Sequence, residues 1–262
     1  MHKQIPYPVD DSSILPFYDL QAFLSSSDNS YLNTINIIGN PFSYPYKAEL
    51  MDLLYSIPVK KNFYLTASTA CRFIKEIQQI DLPNYELYIY YEQEEASIHH
   101  ILTEKQIPFH WIYLISSEKQ YEDLEKLETK YGNEYVEVHP IYTGDNLPFF
   151  EENVYLAEED ILQSNYDKQD IFAHQVMNTN FWGRLSVLPD GKVYSNLNHP
   201  PLGTLKDRVY DLIVDEMTSK RAWRWIRDEV SPCKDCLFRY LCPSPSNYEL
   251  VIGKPNLCHV KP

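Results

Sequence analysis

Positive charge is scarce in this sequence. Lys and Arg together number 23 against 37 Asp and Glu, so the formal net charge is −14. Binding nucleic acid without sequence preference requires basic patches that neutralise phosphates, and docking on an anionic membrane requires basic clusters as well. The charge balance therefore argues against nucleic acid and against a membrane surface as partners.

Long hydrophobic runs are also missing. The longest apolar runs fall far short of the roughly 20 residues that span a bilayer. The first twenty residues are interrupted by Pro6, Pro8 and two aspartates, and they contain no apolar segment of the secretory type. We therefore expect a cytoplasmic protein.

Common catalytic signatures are absent too. The chain has no G-x-S-x-G element, no phosphate-binding P-loop and no dinucleotide fingerprint. The adjacent acids Glu94 and Glu95 and the pair His99-His100 lie in segments that we expect to be solvated surface. No residue is assigned a catalytic role from the sequence.

Cysteine is confined almost entirely to one stretch near the C-terminus. Four of the five cysteines follow the spacing C-x2-C-x5-C-x15-C: Cys233, Cys236, Cys242 and Cys258. A C-x2-C pair directs two thiolates at one centre, and the later cysteines can complete a tetrahedral set. A structural zinc ion and an iron–sulfur cluster both suit such a set.

The spacing alone leaves the choice of metal open. Pro243 directly follows Cys242, as in some ferredoxin-type runs, which favours iron–sulfur. His259, next to Cys258, is an alternative ligand. A disulfide pair, or reduced cysteines that bind nothing, is the remaining interpretation.

The first half of the chain alternates between strand and helix patterns. We predict strands over 34–38, 62–66, 86–91, 109–115 and 135–139, with helices over 46–56, 70–80, 94–105 and 118–131 between them. Such alternation is typical of βαβ units and a parallel sheet. Five strands are too few for a closed eight-stranded barrel. The predicted fold is therefore α/β, with an incomplete (β/α) barrel of about five parallel strands or a small doubly wound sheet.

The predicted organisation has four parts. Residues 1–30 form an N-terminal segment, 31–150 the incomplete barrel, 151–178 a linker, and 179–262 a small α+β, cysteine-rich lobe. In the lobe, Pro189-Asp190-Gly191 predicts the turn of a β-hairpin. Helices are predicted over 205–217 and 222–230, the second leading directly to the cysteines.

Several of these residues resemble a known family. Leu188-Pro-Asp-Gly-Lys-Val-Tyr194, then Leu202-Gly-Thr-Leu205, a helix and C-x2-C-x5-C resemble the SPASM extension of radical S-adenosylmethionine (SAM) enzymes, which often modify ribosomally made peptides. The resemblance covers about 180–258. It implies that one auxiliary 4Fe–4S cluster is bound by the four cysteines of the C-terminal group: Cys233, Cys236, Cys242 and Cys258.

The resemblance also implies that a second auxiliary cluster is absent. Asn196 and Ser246 stand at positions where the family has cysteine ligands, and there is no cysteine from 72 to 232. Oxygen and amide side chains do not replace soft thiolates on such a cluster without a large loss of affinity.

The N-terminal half resembles part of the radical enzyme's barrel. Gly39-Asn40-Pro41 resembles the family's Gly-Gly-Glu-Pro segment, with Asn40 in place of the acid that holds the SAM amino group. The C-x3-C-x2-C loop of the catalytic cluster does not occur, and Cys71 alone cannot replace it. S-adenosylmethionine is therefore not expected to bind.

The whole pattern is similar to pseudo-radical-SAM proteins of peptide-maturation systems in Bacteroidales. That similarity implies a non-catalytic accessory or scaffold whose partners are a radical SAM enzyme, a short precursor peptide, or both. Two other hypotheses remain: a zinc-stabilised module that binds a protein or peptide, and a truncated radical SAM enzyme whose cysteine loop lies upstream in the reading frame.

Overall fold

The computed structural model describes residues 3–8, 13–26, 30–92, 96–131 and 136–260. They fall into two compact units. Unit 1 lies within Met1–Phe17 and Asn29–Ile141, and unit 2 within Tyr18–Asp28 and Tyr142–Pro262. Glu94, Glu95, the side chain of His99, and Tyr135 at the start of the predicted fifth strand lie outside the described residues.

Unit 1 is built on a five-stranded parallel sheet. Its strands pair in chain order: β1 (Thr34–Ile38), β2 (Lys60–Thr66), β3 (Tyr85–Tyr90), β4 (Phe109–Ile115) and β5 (Val136–Pro140). The predicted α/β class and parallel sheet are confirmed. Within the described residues, β1 and β5 remain the two edges of the sheet, so the sheet does not close into a barrel.

The two faces of this sheet differ in burial. One face is fully buried, with side chains that alternate along the central strands: Phe63, Leu65, Leu87, Ile89 and Trp111. On the other face, Tyr88 stacks on Tyr64 of the neighbouring strand at a centroid distance of 4.7 Å and on His110 at 4.9 Å. The period-two pattern of apolar and aromatic residues therefore places two distinct sets of side chains, as expected for strands.

The first helix, α1 (Phe17–Leu24), lies in unit 2 apart from Phe17. The helices of unit 1 follow the predicted order: α2 (Lys47–Ser56), α3 (Ala67–Arg72), α4 (Ile74–Ile77), α5 (Ala96–Glu104) and α6 (Glu118–Tyr131). The prediction of one helix over 70–80 is wrong, because two short helices meet at Phe73. The backbone of Phe73 leaves the helical region (φ −110°, ψ 27°), and its ring stacks on Phe42 at 5.8 Å. Packing of this ring interrupts the helix.

Unit 2 contains a three-stranded antiparallel sheet: β6 (Ser186–Val187), β7 (Lys192–Tyr194) and β8 (Gly203–Thr204). The predicted hairpin is confirmed. Gly191 has a φ of +79°, a conformation that favours glycine, and the Asp190 carboxylate accepts a hydrogen bond from the Lys192 amide at 3.1 Å. Gly203 has a separate constraint, since a Cβ there would lie 2.6 Å from an Asp207 carboxylate oxygen.

Besides α1, the described residues of unit 2 form these α-helices: α7 (Leu147–Asn153), α8 (Glu158–Leu162), α9 (Lys168–Val176), α10 (Val209–Ser219) and α11 (Asn247–Ile252). Residues 151–178, predicted as a linker, thus contain α8 and α9 and belong to unit 2. No helix in the described part of the chain is both long and apolar enough to cross a membrane.

The prediction of a helix over 222–230 is wrong. Only Arg227–Glu229 forms a short 3-10 helix. The amides of Ala222 and Trp223 instead donate to the buried Glu216 carboxylate, at 2.7 and 2.8 Å. The carbonyl oxygens of Trp223 and Trp225 accept from the backbone and side chain of Asn178. These bonds to other segments replace the bonds of a helix, so tertiary contacts override the local helical pattern.

Candidate metal centre

The four clustered cysteines line one cavity in unit 2. The cavity is partly open to solvent. Apolar side chains lie between the thiols: Leu156, Ile161, Pro232, Leu257 and Val260. All five cysteines of the chain are free of disulfides. In the part of the chain that the structure describes, no three His, Cys, Asp or Glu side chains are grouped tightly enough to hold a single metal ion.

Cys233 and Cys236 lie on one tight turn. Cys233 begins a 3-10 helix, Cys233–Asp235, and the Cys236 amide donates to the Cys233 carbonyl at 3.0 Å. Both residues are buried. The C-x2-C spacing therefore folds as expected for a pair of thiols that face the same space.

Asp228 fixes the loop between Cys236 and Cys242. One of its carboxylate oxygens accepts from Arg239 Nε at 2.7 Å, and the other accepts from the Tyr240 hydroxyl at 2.7 Å. Arg239 also donates to the Cys236 carbonyl at 3.1 Å, and the Cys242 amide donates to the carbonyl of Phe238 at 3.0 Å. These bonds fix the loop that connects the second cysteine to the third.

Cys258 is positioned by the segment predicted as a linker. Leu156 forms a parallel bridge with Cys258: its amide donates to the Leu257 carbonyl, and its carbonyl accepts from the His259 amide, both at 3.0 Å. His259 itself is directed to Glu151, whose carbonyl oxygen lies 2.7 Å from His259 Nε2. The alternative ligand role of His259 is therefore not favoured by its position.

Arg227 joins the cysteine-bearing segments. Its side chain is only 7% exposed. Its Nε donates to the carbonyl of Pro243 at 3.1 Å, and its Nη1 donates to the carbonyl of Pro255 at 3.2 Å. Nη1 also lies 3.8 Å from the Cys233 sulfur, and Nη2 forms a 2.7 Å ion pair with the buried Glu249 carboxylate. One guanidinium thus contacts Cys233, the residue that follows Cys242, and a residue three positions before Cys258.

The thiols affect one another electrostatically. Burial raises the pKa of Cys233, while the nearby Arg227 charge opposes that effect. Burial also raises the pKa of Cys242 to about 11, and the charges of the other three thiolates add to that rise. Without a metal, these two cysteines are therefore protonated at neutral pH, and a bound metal would have to displace their protons.

Two side chains donate hydrogen bonds towards the sulfurs. Asn256 Nδ2 lies 3.2 Å from the Cys258 sulfur, and Arg227 Nη1 is the second donor, towards Cys233. A thiolate accepts such bonds far better than a neutral thiol does, because the acceptor then carries a full charge. The four thiols and both donors line one cavity, and these residue types suit a metal–thiolate centre, although no three of the described side chains are grouped tightly enough to hold a single ion.

The two positions where a second cluster would need cysteine belong to a polar network. Asn196 Nδ2 donates to the Asn247 side chain at 2.8 Å, and the side-chain oxygen of Asn196 accepts from the Asn198 backbone amide at 2.8 Å. Ser246, adjacent to Asn247, caps the N-terminus of α11 and accepts from the Tyr248 amide at 3.1 Å. The structure thus brings the neighbourhoods of Asn196 and Ser246 together.

In unit 1, the other residues named from the sequence have structural contacts. Asn40 caps the 3-10 helix Pro41–Ser43, because its side-chain oxygen accepts from the Phe42 amide at 3.1 Å. Gly39 ends β1 with a φ of +108°. Cys71 lies on α3 and His100 is exposed on α5.

Three polar residues of this region were not predicted from the sequence to belong to the site: Arg227, Glu249 and Asn256. One signal was available for Glu249. Ser246-x-x-Glu249 is a capping-box pattern, and in the structure the Ser246 amide donates to Glu249 at 2.8 Å. Nothing comparable marks Arg227, which falls in the segment wrongly predicted as a helix.

Comparisons of the chain with models of known protein families, with curated proteins and with solved structures found no match. The function proposed for the chain therefore depends on its own residues and on the resemblance in its sequence.

Proposed function

We propose that this protein is a non-catalytic accessory or scaffold protein of the pseudo-radical-SAM type, and that it holds one 4Fe–4S cluster. The four residues that would hold the cluster are Cys233, Cys236, Cys242 and Cys258. The observation that carries the proposal is that these four thiols line a single cavity. When bound, the cluster would tie the C-terminal tail to unit 2 and supply one-electron redox chemistry.

The resemblance in the sequence, rather than the shape of the cavity, favours a cluster over a zinc ion. Asn256 and Arg227 direct N–H groups at two of the sulfurs, and hydrogen bonds to its sulfurs help to set the reduction potential of a cluster. Arg227 also supplies a positive charge beside thiolates that together carry several negative charges.

Further observations agree with the SPASM-like lobe that we propose for residues 179–262. The hairpin β6–β7, the strand β8 and the helix α10 precede the cysteines in the order that the resemblance requires. The resemblance assigns positions 196 and 246 to one lost site, and the hydrogen bond between Asn196 and Asn247 agrees with that assignment. The five-stranded parallel sheet of unit 1 is compatible with an incomplete (β/α) barrel.

The proposed role assigns the radical chemistry to another protein. Cys71 is the sole cysteine outside the C-terminal group, and Asn40, at the position of the family's acid, accepts a bond from its own loop. This chain would therefore assist a radical SAM enzyme or present its short precursor peptide. We place it in the cytoplasm, where reducing conditions keep such thiols available for metal.

Metal analysis of each cysteine variant tests the cluster. The full chain is produced and purified without oxygen, and its iron and acid-labile sulfide are measured. We expect four of each per chain in the wild type and a large loss in Cys233→Ser, Cys236→Ser, Cys242→Ser and Cys258→Ser. Cys71→Ser is the matched control and should retain the wild-type content.

Two results would contradict the proposal. A colourless wild-type protein with one zinc per chain would support the zinc-stabilised module instead. Cleavage of S-adenosylmethionine by the reduced, iron-loaded protein would contradict the non-catalytic role. The accessory role itself is tested by inspecting the neighbouring genes for a radical SAM enzyme and a short peptide and co-expressing them with this chain. A stable complex is expected, and neighbouring genes that encode neither would contradict the role.

A further inference from the structure

We propose that Arg227 and Glu249 together set the reduction potential of the cluster, Arg227 by favouring the reduced form and Glu249 by limiting that effect. The inference depends on the proposed function, because it concerns the same four cysteines. It assigns redox-tuning roles to two residues that do not ligate metal. Arg227 is in this sense a positioning and charge-compensating residue.

The position of Arg227 supports this assignment. Its guanidinium is one of the most buried charges in unit 2, at 7% exposure, and it lines the cysteine cavity. Its Nη1 lies 3.8 Å from the Cys233 sulfur. Arginine is not deprotonated in proteins. The guanidinium therefore remains charged beside the metal centre.

Glu249 reduces the net charge of this pair and does not line the cysteine cavity. Its carboxylate is 4% exposed and lies 2.7 Å from Arg227 Nη2, on the other branch of the guanidinium fork. Ser246 fixes the second carboxylate oxygen through its backbone amide. The pair is thus held rigidly, with its positive end at the cavity.

Reduction of the cluster adds one electron from a low-potential donor such as dithionite, and hence one negative charge. A fixed positive charge in a poorly solvated site stabilises the more negative state, because screening by water is weak there. A fixed negative charge has the opposite effect. Removing the Arg227 charge should therefore make reduction harder, and removing the Glu249 charge should make it easier.

The test is a potentiometric titration of the iron-loaded full chain, followed by the spectroscopic signal of the reduced cluster. In Arg227→Gln we expect the equilibrium constant for reduction to fall at least tenfold, which is about 59 mV for one electron. In Glu249→Gln the constant should rise. Arg227→Lys, which keeps the charge, should lie close to the wild type.

Arg221→Gln is the matched control, because Arg221 is paired with Asp215 at 3.2 Å and does not line the cavity. Its potential should equal that of the wild type. Iron content and circular dichroism of every variant are measured first. If Arg227→Gln loses its iron, the other two variants are compared instead: we expect little change in Arg227→Lys and easier reduction in Glu249→Gln.

Unchanged potentials, or shifts of the same sign in Arg227→Gln and Glu249→Gln, would overturn this inference while leaving the proposed function intact. A merely structural role predicts such same-sign or absent shifts. A wild-type protein without iron would overturn the proposed function, and this inference with it.

Discussion

Replacing Glu216 with alanine should strongly destabilise unit 2. The Glu216 side chain is fully buried, and its two oxygens accept three hydrogen bonds: from the Ser195 hydroxyl and the Ala222 amide at 2.7 Å, and from the Trp223 amide at 2.8 Å. Alanine leaves these buried donors without an acceptor. Each such donor costs about 1–3 kcal/mol, while removal of a buried charge offsets part of the loss. We expect a net loss of about 3–5 kcal/mol.

Glutamine is the sharper substitution, because Glu216→Gln keeps the volume and one acceptor oxygen. If the glutamine oxygen keeps the two backbone amides, its NH2 group replaces the oxygen that accepted from the Ser195 hydroxyl. We therefore expect the free energy of unfolding to fall by about 1–3 kcal/mol. The matched control is Asp215→Asn. Asp215 is 47% exposed and pairs with Arg221 at 3.2 Å, so its replacement should change the free energy of unfolding by less than about 1 kcal/mol.

The assay is equilibrium unfolding in urea, followed by the fluorescence of the chain's four tryptophans. Of these, Trp223 packs with Phe181 and Ala222 in the buried cluster of this region. If Glu216→Ala unfolds at the same midpoint as Asp215→Asn, the carboxylate does not organise the segment that follows α10. The explanation given for the missing helix over 222–230 would then be refuted.

Two further predictions concern titratable groups. Lys61 is fully buried, its ammonium group donates to the Ile57 carbonyl at 2.5 Å, and burial lowers its pKa; Lys61→Met should therefore leave the free energy of unfolding unchanged or raise it by about 1–3 kcal/mol. The unfolded chain binds the Lys61 proton more tightly than the folded chain does, so the wild type gains stability as pH rises towards the ordinary pKa of 10.5. Over that pH range, the free energy of unfolding of Lys61→Met should exceed that of the wild type by a shrinking amount. A growing difference in urea unfolding at increasing pH would contradict this. In the metal-free folded protein, burial raises the pKa of Cys242 to about 11 from an ordinary 9.0. Alkylation of this thiol at pH 8, measured by peptide mass spectrometry, should therefore be about 100-fold slower than in the urea-unfolded chain. Equal rates would contradict the burial of the thiol.

The sheet of unit 1 was predictable because its signals are local. β-branched and aromatic runs mark each strand, and the structure places β1 and β4 at the predicted residues. The break at Phe73 was not predictable, since it depends on a ring contact with Phe42 that is distant in sequence. The same holds for the segment 222–230, whose composition is helical but whose amides bond to Glu216.

The ligand set of the candidate site was predictable from spacing, but its surroundings were not. The number and spacing of the four cysteines mark them as candidate ligands in the sequence, and the structure brings all four to one cavity. Arg227 and Asn256 have no such interval, because each acts through a contact that exists only after folding. Leu156 was assigned to a linker, since nothing local shows that its backbone pairs with Cys258.

Native mass spectrometry of the anaerobically purified full chain tests the central claim most directly. The cluster proposal predicts a folded species heavier than the apoprotein by four irons and four sulfides, and loss of that increment in Cys242→Ser but not in Cys71→Ser. An increment of one zinc ion in the wild type, or no metal after anaerobic reconstitution with iron and sulfide, would contradict it.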